Sequence, residues 1–532
     1  MRVGAMVAGL AAAAVLAAGC TDERGGVRVG ATAEESGCRD LPKLVRRIRK
    51  GYFPGPSPDL MPIPRVPNYV GTPTAPVHSG PWDYLARVPL VLYGPGHTRG
   101  VGDIPAPATM ADVAPTIAAA IGFEGMPERD GRALTRALRD DAEPPRLVVV
   151  VVWDGGGWNV LEEHPDAWPF LEKLMTRGAS FSAMTIGSSP SVTNSIHTTL
   201  GTGALPNRHG IVALRVRLGP GRFGDPLLFL DPSAIRIQTL ADLYDRGRAN
   251  RPVVGMLASS NYHLGMVGHG ASLSGGDRDA VVLIDEDGRA YGNEELFSLP
   301  PAADEERFRA WMTELDAGDG TVDGKWDGES LEGVLAKKGN PAAARYEQWV
   351  LERLVRNAGF GADEIPDLLF VNFKAPDEAG HEWGMTAPQV ADAVRASDDA
   401  LKRLTRFLDA EVGRREWMVV VTADHGQMPY PHESGGWAIR GGELGDDLNA
   451  RFDRNEDGEP LAPNIVSAGI YLDPDQLADN DLGLRGMARW IARYTAEENL
   501  QEGEELPEGW EGEERLFDAV VIGGGGVVDS CG

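Results

Sequence analysis

The sequence predicts an α/β protein: a three-layer α/β/α sandwich with a mostly parallel central sheet and an inserted cap lobe. Residues 147–153 (LVVVVVW), 366–373 (PDLLFVNF) and 417–424 (WMVVVTAD) contain continuous apolar runs of the kind buried on both faces of a parallel sheet. The last two follow helix-period stretches, AARYEQWVLERLVRNAG and VADAVRASDDALKRLTRFLDAEVG, and strands alternating with helices build a sheet covered on both sides. With 532 residues, 42% of them hydrophobic and 24% charged, the chain can bury one main core plus an added lobe.

The first segment, MRVGAMVAGLAAAAVLAAGC, puts one Arg ahead of an Ala/Val/Leu run that ends in small residues and Cys20. That is the layout of an export signal, and the run is too short and small-sided for a good membrane span. Leu16-Ala17-Ala18-Gly19-Cys20 resembles a bacterial lipoprotein box, so residues 1–20 are read as a lipoprotein signal. The chain is then expected to be exported and lipid-anchored, on the outer face of the cell membrane or in the periplasm; the alternative is an ordinary signal ending near a cysteine. Residues 21–39, Gly-rich and without apolar period, read as a flexible tether. Cys38 and Cys531 remain, and in a compartment that permits disulfides they are expected to pair; two free thiols are the alternative.

Beyond the tether come a short amphipathic stretch, a Pro-rich run, the strand-like PLVLYG and the helix-like MADVAPTIAAAIG, together assigned to a segment 40–140. Residues 146–532 form the rest of the main domain, and the loosened pattern over about 212–340 reads as the inserted cap. The 51 Lys+Arg against 79 Asp+Glu give a formal net charge of −28, which argues against general nucleic-acid binding.

Ligands gather at the carboxyl ends of parallel strands, and there the sequence places Asp154, Asp424 and His425. Asp377 and His381, four residues apart, share one helix face and can hold one ion together. Each of these pairs alone has an ordinary structural explanation, as a helix cap or a core histidine; their coincidence on three strand ends favours a metal site. Thr193 stands at a helix start after a Ser/Pro loop, where backbone N–H groups can receive an anionic phosphate.

These residues resemble the alkaline phosphatase superfamily, particularly its nucleotide pyrophosphatase/phosphodiesterase and phosphonoacetate hydrolase branch. In that branch a nucleophilic Thr precedes a Thr-Gly-x-x-Pro-x-x-His-Gly-Ile segment by nine residues, as Thr193 precedes Thr202-Gly203-Ala204-Leu205-Pro206-Asn207-Arg208-His209-Gly210-Ile211. The resemblance implies that Asp154, Thr193, Asp424 and His425 hold one divalent ion, most simply zinc. Asp377 and His381 would hold a second zinc with one further His. It implies a phosphoric ester hydrolase acting through a phospho-threonine on a small phosphate-ester or nucleotide substrate.

The family takes that further His from a late segment, yet after His425 this sequence has only His432. The closing pattern of the family stands instead near the start, as APVHSGPWDYLARVPLVLYGPG and ADVAPTIAAAIGFEGMPERDGRAL, so the chain reads as a circular permutation with His78 as the seventh ligand. His432 is the alternative. Asn194 is a candidate phosphate donor or a helix-turn side chain bonded to its own backbone, and His197 and His209 are expected to be structural. His269 is expected to hold a loop, and Asp453-x-Asn455-x-Asp457 to be a solvated turn rather than a calcium loop. A diesterase is favoured over a monoesterase, because residues 255–280 offer no clear cation for the extra phosphate charge. A surface binding lipoprotein with an inactive core is the remaining alternative.

Overall fold

Alternation of side chains along the buried strands decides the layering. A computed structural model describes residues 33–531 except 338 and 456, so the signal and residues 21–32 of the expected tether lie outside the described residues. The central sheet contains β1 (Leu90–Tyr93), β2 (Leu147–Trp153), β3 (Val254–Ala258), β4 (Ala280–Ile284), β5 (Asp367–Phe373) and β6 (Trp417–Thr422). Its spatial order is β4-β3-β5-β2-β6-β1, with short strands added at both edges. The first five of these run parallel, and β1 lies antiparallel to β6.

Val149, Val151, Leu369, Val371, Val419 and Val421 face one side, against the helices Pro341–Ala358 and Pro388–Leu408. Val148, Val150, Val152, Leu368, Phe370 and Val420 face the other, against the helices Val113–Ala120, Thr193–Thr202 and Leu240–Gly247. This period of two explains why an unbroken apolar run was needed: each residue of β2 is fully buried on one face or the other. Full burial of a Val contributes about 1.5–3 kcal/mol, so a charge placed at Val150 would break the strand. Pro341–Ala358 starts where it does because the Asn340 side chain accepts from the Ala342 N–H at 2.9 Å, and it stops at Gly359, whose φ is 81°. The mainly parallel sheet between helical layers is the architecture that the sequence predicts.

The added lobe lies elsewhere than expected. Residues 212–340 include β3 and β4, so much of that stretch belongs to the central sheet; their runs are short and interrupted by Gly-rich loops, which hid them. The second lobe is a five-stranded antiparallel sheet in the order 464–466, 469–471, 60–64, 517–522, 527–529. One face packs on Leu444, Leu448, Met487 and Ile491 of the helices Gly441–Phe452 and Leu484–Ile491. The other face is covered by Leu44, Val45 and Ile48 of the helix Ala33–Gly51. That helix corrects the tether reading over 33–39: it begins at Ala33, ahead of the apolar stripe Leu41, Leu44, Val45 and Ile48 that covers the sheet. Cys38 and Cys531 form the expected disulfide, with Cα atoms 5.7 Å apart.

Candidate active site

Adjacent parallel strands deliver the site. Phe373 is in register with Trp153, and Thr422 with Val152, so the residues just past β5, β2 and β6 emerge side by side. Asp154 follows β2, Lys374 and the helix Ala375–Trp383 follow β5, and Asp424 and His425 follow β6. The turn after Asp154 needs glycine: Gly155 has a φ of 66°, and a Cβ there would meet Asp377 Cα at 3.0 Å and Gln427 Nε2 at 2.9 Å. Gln427 Nε2 donates to Gly155 O at 3.1 Å and to Pro376 O at 2.8 Å, locking two of these strand ends together.

Two groups of ligand-type side chains result, Asp154–Asp424–His425 and His78–Asp377–His381. His425 Nε2 lies 3.5 Å from Asp154 Oδ1 and 3.3 Å from Asp424 Oδ2. His78 Nε2 and His381 Nε2 lie 3.6 and 3.5 Å from Asp377 Oδ1. The groups abut, since the His78 and His425 rings stack with centroids 3.5 Å apart. Thr193 Oγ1 is 3.5 Å from His425 Nε2, at the first residue of its helix. Val192 is extended there and Gly203 ends the helix at a φ of 67°, so the hydroxyl projects from a defined N-terminus.

The donor set fits divalent cations. Each of the three histidines donates from Nδ1 to a backbone carbonyl: His78 to Ser191 at 2.7 Å, His381 to Pro76 at 2.8 Å and His425 to Gly426 at 3.0 Å. Every Nε2 lone pair is thereby turned toward the carboxylates, the usual outer support of a metal-binding His. Asp154 Oδ1, Asp377 Oδ1 and Asp424 Oδ2 are buried without a hydrogen-bond partner, an arrangement that calls for positive charge. Burial and the Asp424 charge push the Asp154 carboxyl well above its usual range. Burial and the neighbouring His425 push His78 down to about 3, so it stays a neutral ligand.

Lys374, which sequence reasoning missed, sits between the groups. Its Nζ is 2.5 Å from Asp377 Oδ2 and 3.2 Å from Asp154 Oδ2. Burial works against the ionised Asp377, but the Lys374 ammonium holds that carboxyl well below the usual range. Asn372 Nδ2 also donates to Asp154 Oδ2, at 3.1 Å, so the outer oxygens are occupied while the inner ones face the sites. The available signal was a lysine between a strand end and a ligand Asp in VNFKAPDEAGH.

All seven predicted metal-binding positions converge, whereas Asn194 does not join them. It is fully buried and donates from Nδ2 to Ala213 O at 2.8 Å, so it anchors the 211–213 loop instead of facing substrate. His432 is exposed and stacks on Tyr430, away from both groups. His197 Nε2 stands 3.4 Å from Asp424 Oδ2 behind the site, with its Nδ1 2.9 Å from His263 Nδ1. His209 joins Thr199 Oγ1 at 3.0 Å, and His269 pairs with Asp242 at 2.8 Å, both as structural contacts. Residues 453–457 close on themselves through Asn455 and Asp457, with the Asp457 N–H donating to Asn455 Oδ1 at 3.2 Å.

Known proteins resemble the chain in sequence and in fold. Over 416 residues, 67% of this chain and 74% of the relative, the sequence is 24% identical to alkaline phosphatase PafA of Elizabethkingia meningoseptica. The crystal structure of wild-type PafA shares the fold, with a TM-score of 0.52 and 16% identity over 71% of this chain and 84% of that chain. Residues 148–226 and 289–527, more than half of the sequence, match the family described as type I phosphodiesterase / nucleotide pyrophosphatase, and the chain belongs to that family of phosphoric ester hydrolases.

Proposed function

We propose that the chain is a metal-dependent phosphodiesterase of the nucleotide pyrophosphatase type, working through a phospho-threonine at Thr193. The observation that carries this is the placement of Thr193 Oγ1 at a helix N-terminus, 3.5 Å from His425 Nε2 and beside the two ligand groups. Two divalent ions, most simply zinc, would be held by Asp154, Thr193, Asp424 and His425 and by His78, Asp377 and His381. When bound, they supply Lewis-acid charge to the nucleophile and the phosphoryl oxygens. The Thr193 hydroxyl gives up its proton and attacks phosphorus in line, the alcohol or nucleotide leaves, and water then cleaves the phospho-threonine. Backbone N–H groups in the first turn of the Thr193 helix have no partner within the helix and suit a phosphoryl oxygen.

The diester reading rests on where cations stand. Lys374 is taken up by Asp154 and Asp377, and β3 leads into Ser259, Ser260, Asn261 and Tyr262, which carry no positive charge. Tyr262 is close enough to feel the Lys374 charge, and a monoester brings a second phosphate charge that these residues do not meet. Monoesterase activity is the second reading, favoured by the name of the PafA relative. Rates on an aryl phosphodiester and an aryl phosphomonoester, with and without chelator, choose between them. A monoester preference would reverse the assignment, and full activity in chelator would remove the metals.

The chain order supports the circular permutation. The family match starts at 148, while His78 reaches Asp377 and His381 from the segment before it, and the two ends of the described chain meet at Cys38–Cys531. We retain the exported, Cys20-anchored reading alongside it; the disulfide suits an oxidising compartment.

A further inference from the structure

The helix Ala33–Gly51 covers the sheet of the second lobe, but its last two turns also touch the two loops that lead to the phosphoryl site. One loop, residues 78–83, carries His78; the other, residues 188–192, runs into Thr193. The loops are laced together beside the site. His78 Nδ1 donates to Ser191 O at 2.7 Å, and Ser191 Oγ donates to His78 O and, at 3.0 Å, to Gly80 O.

Arg47 joins the same two loops a second time. Its side chain is 7% exposed, with Nη1 donating to Pro81 O and Nη2 to Asp83 Oδ1 at 3.0 Å. Its own carbonyl accepts from the Ser189 N–H at 3.1 Å. The close approach at that end requires Gly51, where a Cβ would meet Ser189 O at 1.6 Å. Leu44 and Ile48 share a buried cluster with Trp82 and Leu85, so the helix packs on the 78–83 loop as well as bonding to it. Cys38–Cys531 fixes the helix near its other end.

A guanidinium buried at this place carries a desolvation cost that an apolar contact would not. In return, its donors lie in one rigid plane and fix direction as well as distance. The bonds of Arg47 end three and five residues after His78 and four residues before Thr193. His78 is also the position most in need of support. The other six metal-binding positions follow a central strand directly or stand on a helix, whereas His78 stands in an irregular segment.

We infer that Arg47 is a positioning residue for phosphoryl transfer, setting the place of His78, a ligand of the second ion, relative to the Thr193 hydroxyl at the first. The inference rests on the two-ion, phospho-threonine reading given above. When two ions share one in-line transfer, a slip between the loops that carry their ligands costs rate without opening the fold.

The test uses the full chain with zinc. A competition titration gives the affinity of each zinc equivalent, and steady-state rates on an aryl phosphodiester at saturating zinc give kcat and KM. Arg47→Met, close in volume but without donors, should bind about tenfold more weakly the equivalent that His78→Ala also weakens, with the other kept within about twofold. Its kcat should fall about tenfold with KM little changed. Arg47→Lys keeps the charge without the two-armed fork and should recover part of both losses. Lys43→Met, on the same helix and also paired with Asp83, should change neither. Should Arg47→Met fail to fold, Asp83→Ala carries the test, because Asp83 is exposed on one side and supplies one of the two side-chain bonds; it should weaken the same equivalent several-fold. Unchanged zinc affinities and kcat in these variants, or an equal loss of both equivalents in step with Tm, would overturn the role and leave Arg47 a stability contact. A wild-type chain that binds no zinc would remove the two-ion reading and this role with it, whereas two tight equivalents in wild type and unaffected variants would remove this role alone.

Discussion

Replacing Lys374 with Met removes a buried ammonium that touches one carboxylate of each ligand group while nearly conserving volume. In the metal-free protein this leaves Asp154 and Asp377 facing each other without compensation. Breaking a buried ion pair from one side costs about 3–5 kcal/mol. With both divalent ions bound, the same carboxylates are neutralised from their inner oxygens, so the variant should lose less. If the difference between the two states is about 1.4–2.8 kcal/mol, linkage requires the variant to bind its metals about 10–100-fold more tightly. Urea unfolding of wild type and Lys374→Met, each in chelator and in excess zinc, measures both costs, and a zinc competition titration measures the affinity. Equal destabilisation with and without zinc, or weaker zinc binding in the variant, would refute the idea that the ammonium stands in for the ions.

Thr193→Ala should lower turnover on the aryl phosphodiester by on the order of 10³-fold or more, while the protein retains most of its metal; unchanged rates would remove the nucleophile. His78→Ala should weaken one of two metal equivalents by at least about 100-fold, read by elemental analysis after dialysis; full retention would return attention to His432. Cys38→Ser should cost about 2–4 kcal/mol in urea unfolding, because the bridge closes a very long loop in the unfolded chain. Burial pushes Asp367 up to about 7, so the folded state holds that proton more tightly than the unfolded chain does. Its contribution to stability is therefore largest near pH 4 and falls as pH rises to 7, and Asp367→Asn should flatten that part of the stability curve. A slope unchanged from wild type would assign it to other groups.

Much of this site could be read in advance because its ligands stand directly after long apolar strands. β2, β5 and β6 are buried on both faces, so their hydrophobic runs are unbroken, and Asp154, Asp377, Asp424 and His425 sit at fixed offsets from where those runs stop. β3 and β4 were missed because each has five residues flanked by glycine and polar loops, too little for the pattern to stand out from a cap. The second lobe was hidden for a different reason: strand 60–64, LMPIP, carries two prolines and pairs with residues more than four hundred positions away. Lys374 escaped notice since nothing local marks a lysine as buried; Asp377 is three residues on, but its other partner, Asp154, follows a separate strand. Asn194 was misjudged because being next to Thr193 on a helix says nothing about which way a side chain turns, and it turns to Ala213.

The pairing of strand 60–64 with 517–522 sets an order of events for a growing polypeptide. A ribosome that has released the first of these segments holds no partner for it until more than four hundred further residues have been made, whereas β5, β2 and β6 are complete about a hundred residues sooner. The small sheet has high contact order, and its edge must wait, unpaired, for the tail. Loss of the residues from 517 onward, by a premature stop or by proteolysis, would thus strip an inner strand from a lobe that also draws on residues 60–64.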